Sequence, residues 1–133
     1  MLKLIELIII AAAVDGKIDK REQEAILRIL TQNHATPPLT NAQLASVQEQ
    51  LTSRFKGGET RENVIMQAAS VLDDNARHLA YAIAVEVVMS DDQLTSGEID
   101  FLREQRELLG LDSVKVEKIH FSAELRYGFG NLS

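Results

Sequence analysis

Two helix-length segments of the chain are apolar on almost every side, and this feature limits its possible folds more than any other. The first is Leu2–Val14, which Glu6 interrupts, and the second is His78–Met89. A helix that is apolar all round has to be buried on several sides, and neither segment is long enough to span a membrane. The first imitates a short secretory signal peptide, but Glu6 and the single preceding lysine do not fit one. We therefore predict that both segments are core helices.

The spacing of apolar residues and turn residues predicts five further helices. Residues that favour helix starts and stops, such as Thr40, Gly57 and Gly110, set their ends, and Pro37-Pro38 requires a non-helical connection. The seven predicted helices cover about residues 2–14, 20–33, 40–56, 60–72, 75–90, 95–109 and 113–127. No segment shows the alternation of a half-buried strand. We expect an all-α fold, a compact bundle of about seven helices, as a single domain over residues 1–133 with a frayed tail at 128–133.

The composition argues against several classes of function. The net charge is −6, and the Lys and Arg residues are scattered, whereas nucleic-acid binding needs a concentrated basic surface. The chain has no cysteine, which excludes disulfides, thiolate catalysis and Cys-ligated zinc. The three histidines, His34, His78 and His120, are far apart in the sequence. We expect surface or packing roles for them rather than a His-rich metal site.

The two halves of the chain share a pattern at a spacing of 76 residues. In each half an apolar helix is followed by an aspartate, which is Asp15 or Asp91. A capping residue, Asp19 or Thr95, and a glutamate three positions later, Glu22 or Glu98, then begin a helix with one apolar face. A pattern repeated at a fixed period indicates duplicated structural units. We predict a pseudo-twofold pair of helix–turn–helix units, with halves at roughly residues 1–58 and 59–127.

The acidic turns are the candidate functional site. Asp15 and Asp91 follow the carboxyl ends of apolar helices, where the helix dipole disfavours a negative charge by ~0.3–1 kcal/mol. A cation held jointly with Glu22 or Glu98 would compensate, and ligands that are all oxygens suit Ca²⁺, Mg²⁺ or Mn²⁺. The alternative is structural: the glutamates belong to capping boxes that satisfy backbone N–H groups without any metal.

The residues around both turns resemble the TerB-like tellurite-resistance family. The resemblance rests on Ala-Ala-Ala-Val-Asp-Gly-Lys-Ile-Asp-Lys-Arg-Glu over residues 11–22 and on the second turn from Val88 to Glu98. It implies a compact all-helical domain of bacterial tellurite- and stress-resistance systems, related to a domain of a membrane-anchored DnaJ-like co-chaperone. It also implies an acidic metal-binding cluster. The residues of that cluster would be Asp15, Glu22, Asp91 and Glu98, with Asp19 and Asp92 nearby.

Three hypotheses for the function follow. The first is a cytoplasmic, non-enzymatic accessory domain that binds a divalent cation or a protein partner in stress response. A membrane-associated resistance complex is a candidate partner, and we expect neither nucleic-acid binding nor membrane insertion. The second is a structural or adaptor domain whose acidic residues are only helix caps. The third is a metal-dependent hydrolase with two ions, although no accompanying nucleophile motif or phosphate-binding loop is found.

Overall fold

The computed structural model describes residues 2–12, 24, 26–28, 40–89 and 95–128 of the chain. Within these ranges all regular structure is helical, which confirms the all-α fold class. The helices with defined bounds are α1 (Leu2–Ala12), α2 (Asn41–Lys56), α3 (Arg61–Val71), α4 (Asp74–Met89), α5 (Ser96–Leu109) and α6 (Ser113–Tyr127). The described residues of the predicted second helix, Glu24 and 26–28, are also helical. Its other residues and Pro37-Pro38 lie outside the described part.

Helices α1 and α4 form the centre of the bundle, as their composition predicts. Every side chain of α1 from Leu4 to Ala11 is buried, and α4 buries most of its residues from His78 to Met89. Among the helices that the structure describes, the most extensive packing is between α1 and α4, and α1 also contacts α2, α3 and α5. Because apolar burial contributes ~25 cal/mol per Å² removed from water, these two helices supply a large share of the core.

The helices begin and end where the sequence provides capping residues. Four of them follow a residue whose side chain accepts a hydrogen bond from the backbone N–H three positions later: Thr40, Thr60, Thr95 and Asp112. The side chain of Asp73 accepts from the Ala76 N–H at 2.8 Å, so α4 begins at Asp74, one residue before its predicted start. Gly110 ends α5 in the left-handed conformation, with φ of 63°, which glycine adopts without a Cβ clash.

Helices α4 and α6 run parallel, side by side. Near their starts, the Asp112 backbone N–H donates to His78 Nε2 at 3.0 Å. Near their ends, the Tyr127 hydroxyl donates to Glu86 Oε2 at 2.9 Å. The two helices therefore point in the same direction. Because α5 connects the end of α4 to the start of α6, it runs antiparallel to both, and it packs on α4.

A carboxylate, Glu6, lies within the core and is only 3% exposed. Its Oε1 accepts a hydrogen bond from Arg54 Nη1 at 2.7 Å, and Lys3 Nζ lies 3.2 Å from its Oε2. Arg54 also donates two hydrogen bonds to Glu59, at 2.6 and 2.8 Å, and thereby lowers the pKa of the Glu59 carboxyl. Because a buried charge is tolerated only when it is paired, these contacts connect α1 to the end of α2.

Some predictions from the sequence are not confirmed. The spacing of Phe55 from the buried Leu44, Val47 and Leu51 predicts that it lies on the apolar face of α2, but it is 37% exposed, because it lies in the last turn of the helix, next to the exposed Gly57-Gly58 turn. The internal repeat stays a prediction, since the turns that define it lie largely outside the described residues. Among the helices that the structure describes, none combines the length and the apolarity needed to cross a membrane.

Candidate functional site

The structure describes one of the six predicted cation ligands. Glu98 lies in the first turn of α5 and is 9% exposed. The other predicted ligands lie outside the described residues: Asp15, Asp19, Glu22, Asp91 and Asp92. Within the described part of the chain, no three His, Asp or Glu residues are grouped in a way that could hold a metal ion. The acidic cluster therefore stays a prediction. The described features that bear on it are Glu98 and the helix ends on either side of the second turn.

Glu98 forms a complete capping box with Thr95. Its Oε1 accepts from the Thr95 backbone N–H at 2.9 Å, and its own backbone N–H donates to Thr95 Oγ1 at 3.1 Å. The same box, with the same two distances, joins Thr40 and Gln43 at the start of α2, where both residues are exposed. A neutral amide thus makes the same cap. It follows that the cap does not require the negative charge of Glu98.

Buried residues fix both ends of the segment that carries the second acidic turn. The last three residues of α4, Val87, Val88 and Met89, are all buried. The chain re-enters the described structure at Thr95, and Glu98 is buried one turn later. The described residues on both sides of 90–94 are therefore anchored in the core, at Met89 and at Glu98.

A second polar cluster lies where α4, α5 and α6 meet. Arg106 Nη1 donates to the Tyr81 hydroxyl oxygen at 2.8 Å. Because a guanidinium can only donate hydrogen bonds, the Tyr81 hydroxyl keeps its own proton for His120 Nε2, which lies 2.5 Å away. Tyr81 is fully buried and His120 is 5% exposed. The cluster therefore satisfies two polar groups inside the core.

The surroundings keep both titratable members of this cluster neutral. Burial raises the pKa of Tyr81, and Arg106 only partly opposes that effect. Burial also lowers the pKa of His120, and the charge of Arg106 lowers it further, while Glu124 acts in the opposite direction. A neutral imidazole can accept a hydrogen bond at Nε2, so these pKa shifts agree with the direction of the hydrogen bonds.

The sequence carries only a weak signal for this cluster. Of the surface or packing roles expected for the histidines, His78 and His120 have the packing role, because both are buried, and His34 lies outside the described residues. No sequence pattern assigns a polar contact to Tyr81, since it lies in an almost wholly apolar helix. His78 and Tyr81 are three positions apart and so share one face of α4. Two polar aromatic residues on one buried face indicate that a neighbouring helix supplies their hydrogen-bond partners.

Comparison with known proteins supports the resemblance seen in the sequence. The family model described as "Tellurite resistance protein TerB" matches residues 1–120. The match covers α1 to α5, about half of α6 and both predicted acidic turns. No curated protein and no solved structure matches the chain. A family model that matches nine-tenths of the sequence is decisive, and the chain belongs to the TerB family of tellurite resistance proteins.

Proposed function

We propose that this chain is a non-catalytic accessory domain of tellurite resistance that binds a divalent cation in its two acidic turns. The family assignment supports the link to tellurite resistance. The candidate ligands all offer oxygen atoms: Asp15, Asp19, Glu22, Asp91, Asp92 and Glu98. Oxygen ligands suit Ca²⁺, Mg²⁺ or Mn²⁺. The bound ion would join the end of an apolar helix to the start of the next one.

In this proposal the role of the ion is to order a surface for a protein partner in the cytoplasm. An ion that holds two helix ends together stabilises one arrangement of those helices, and a partner that recognises that arrangement binds the loaded form more tightly. A membrane-associated resistance complex is a candidate partner. The helices themselves would carry no reaction.

The observation that carries the proposal is that Glu98, a residue only 9% exposed, places a carboxylate where a neutral amide makes the same cap at another helix start. Taking a carboxylate out of water costs several kcal/mol unless charges and hydrogen bonds compensate. The dipole of α5 contributes only about 0.3–1 kcal/mol at this position, and Gln43 makes the same cap with a neutral side chain. The negative charge of Glu98 is therefore more than the cap requires, and a carboxylate oxygen is a suitable ligand for a divalent cation.

The substitution Glu98→Gln tests the cation while keeping the cap. Because glutamine forms the same box at Gln43, the variant should keep the cap and fold, with a loss of ~0.3–1 kcal/mol of stability from the weaker interaction with the helix dipole. Calorimetric titration of EDTA-treated protein with Ca²⁺, Mg²⁺ and Mn²⁺ should show saturable binding to the parent and weaker or no binding to the variant. At a hundredfold excess over its Kd, the ion should stabilise the parent by ~2.7 kcal/mol.

Gln43→Glu is the matched control for this experiment. It places a carboxylate in the same capping geometry at an exposed helix start, so it should leave ion binding unchanged. If the parent shows neither heat nor a rise in melting temperature with any of the three ions, the cation site is wrong. Equal binding by the parent and Glu98→Gln would remove Glu98 from the ligands.

A purely structural or adaptor role is the second candidate function, and the complete Thr95–Glu98 box favours it. In that case Glu98→Gln and Glu22→Gln lower stability modestly, and no ion changes the melting temperature of the parent. The same titration therefore separates the two candidates.

A further inference from the structure

A cleft lies between the end of α5 and the start of α6, at the opposite end of α5 from Glu98. Its volume is about 540 Å³, within the range that holds small-molecule ligands. Leu111 and Val116 contribute to a mostly apolar lining, and Arg106 and His120 also face the cleft. An apolar cleft with few polar groups is the usual form of a small-molecule site, in which the polar groups fix the orientation of the ligand.

Arg106 is the group in this cleft that points to a ligand. Tyr81 holds it from one side, through the 2.8 Å hydrogen bond and with the guanidinium carbon 5.9 Å from the ring centroid. Arg54, Arg61 and Arg126 each form an ion pair with a carboxylate, whereas Arg106 forms none with the residues that the structure describes. A fixed guanidinium that lines a cleft is suited to bind a carboxylate through paired hydrogen bonds.

The other charges in the cleft narrow the class of ligand. Glu107 and Glu117 contribute to the lining and are exposed, so their negative charges offset the positive charge of Arg106. They therefore repel an anion that carries two or more charges. A ligand with a single negative charge meets less repulsion. The apolar lining then favours a ligand whose remaining surface is apolar.

We propose that this cleft binds a small monocarboxylate with an apolar body. Its carboxylate accepts hydrogen bonds from Arg106, and its apolar body packs against Leu111 and Val116. Tyr81 acts as a positioning residue, because its hydrogen bond fixes the orientation of the guanidinium. This site is independent of the proposed cation site at the acidic turns.

Hexanoate is a suitable probe, with 1-hexanol as its neutral analogue and inorganic phosphate as the multiply charged anion. Titrations of the ¹⁵N-labelled full chain, followed by NMR, should give a Kd for hexanoate of about 1 mM, the order expected of a ligand with so few atoms. Hexanol and phosphate should bind at least about tenfold more weakly. The imidazole signals of His120 should shift on binding, because His120 faces the cleft.

Two variants and one control test the role of the charges. Arg106→Gln should weaken hexanoate binding about tenfold or more, whereas Arg103→Gln, at an exposed ion pair on the same helix, should leave it unchanged. Glu117 is exposed, so we expect Glu117→Gln to fold, and it should strengthen hexanoate binding about twofold or more because it removes a repulsion between two negative charges. The Glu117→Gln measurement therefore tests whether charge controls hexanoate binding even if Arg106→Gln fails to fold.

Several outcomes would overturn the proposal. Equal affinity for hexanol and hexanoate would show an apolar cleft that does not recognise the carboxylate. Tighter binding of phosphate would show a site for inorganic anions instead. Shifts that avoid His120 and the α5–α6 junction, or no hexanoate binding at concentrations of about 10 mM, would leave the cleft without this ligand.

Discussion

The substitution Arg54→Met should be among the most destabilising single changes on the side of the bundle where α1 meets α2. It removes the guanidinium that donates to Glu6 at 2.7 Å and leaves a carboxylate that is only 3% exposed. Breaking a fully buried pair by removing one partner costs ~3–5 kcal/mol. Here the Arg54 side chain is 27% exposed, and Lys3 remains 3.2 Å from the carboxylate. We therefore expect a loss of ~2–3 kcal/mol.

Urea unfolding followed by circular dichroism at neutral pH measures this loss. With a slope of ~1–3 kcal/mol per M, the urea midpoint should fall by about 0.7–3 M. The double variant Glu6→Leu/Arg54→Met should regain most of the stability, because replacing both partners of a buried pair by apolar residues is often neutral or favourable. Arg103→Met, which breaks an exposed pair with Asp100, is the control and should have little effect. A loss below about 1 kcal/mol for Arg54→Met, or a double variant no more stable than the single one, would refute the reasoning.

Three further predictions concern the pH dependence of stability, one glycine and the core. The pKa of His120 is lower in the folded protein than its ordinary value, so the unfolded chain binds more protons below about pH 6.5. Stability should therefore fall as the pH is lowered from about 6.5 towards 5, and melting curves of His120→Asn should lack this fall. Gly110→Ala should lower the free energy of unfolding by ~1 kcal/mol, because alanine disfavours the left-handed backbone. The cost should be no larger, because an added Cβ would meet no atom within 4 Å, and Gly110→Asn should cost less in the same thermal melts. Ile9→Asp and Val85→Asp should each abolish the folded state, because both side chains are almost fully buried; a cooperative melt of either variant would contradict the core assignment.

The sequence was most informative where the physical cause is local. Thr40, Thr95 and Gly110 mark helix ends because a cap depends on the backbone N–H and C=O groups within one turn of it. The central position of α1 and α4 was also predictable, because a helix without a polar face has to be surrounded by other elements. These causes require no knowledge of how distant segments pack.

The contacts that the sequence did not predict join residues that are far apart. Glu6 and Arg54 are separated by 48 positions, and Tyr81 and His120 by 39. No local pattern specifies which helix supplies a partner across such distances, because this depends on the packing of the whole bundle. The candidate site shows the same division: the Thr95–Glu98 box was predicted from its spacing, whereas the assembly of the acidic turns into one cation site stays a prediction.

The central position of α1 has a consequence for the synthesis of the protein. Its main packing partner, α4, ends at Met89, whereas α1 ends at Ala12. At ~5–20 residues per second, a ribosome takes roughly 4–15 s to add the intervening chain. Helices α2 and α3 are made earlier and cover α1 only in part. For several seconds α1, an almost wholly apolar helix, is therefore only partly covered, and transiently exposed apolar surface of this kind favours aggregation of the nascent chain.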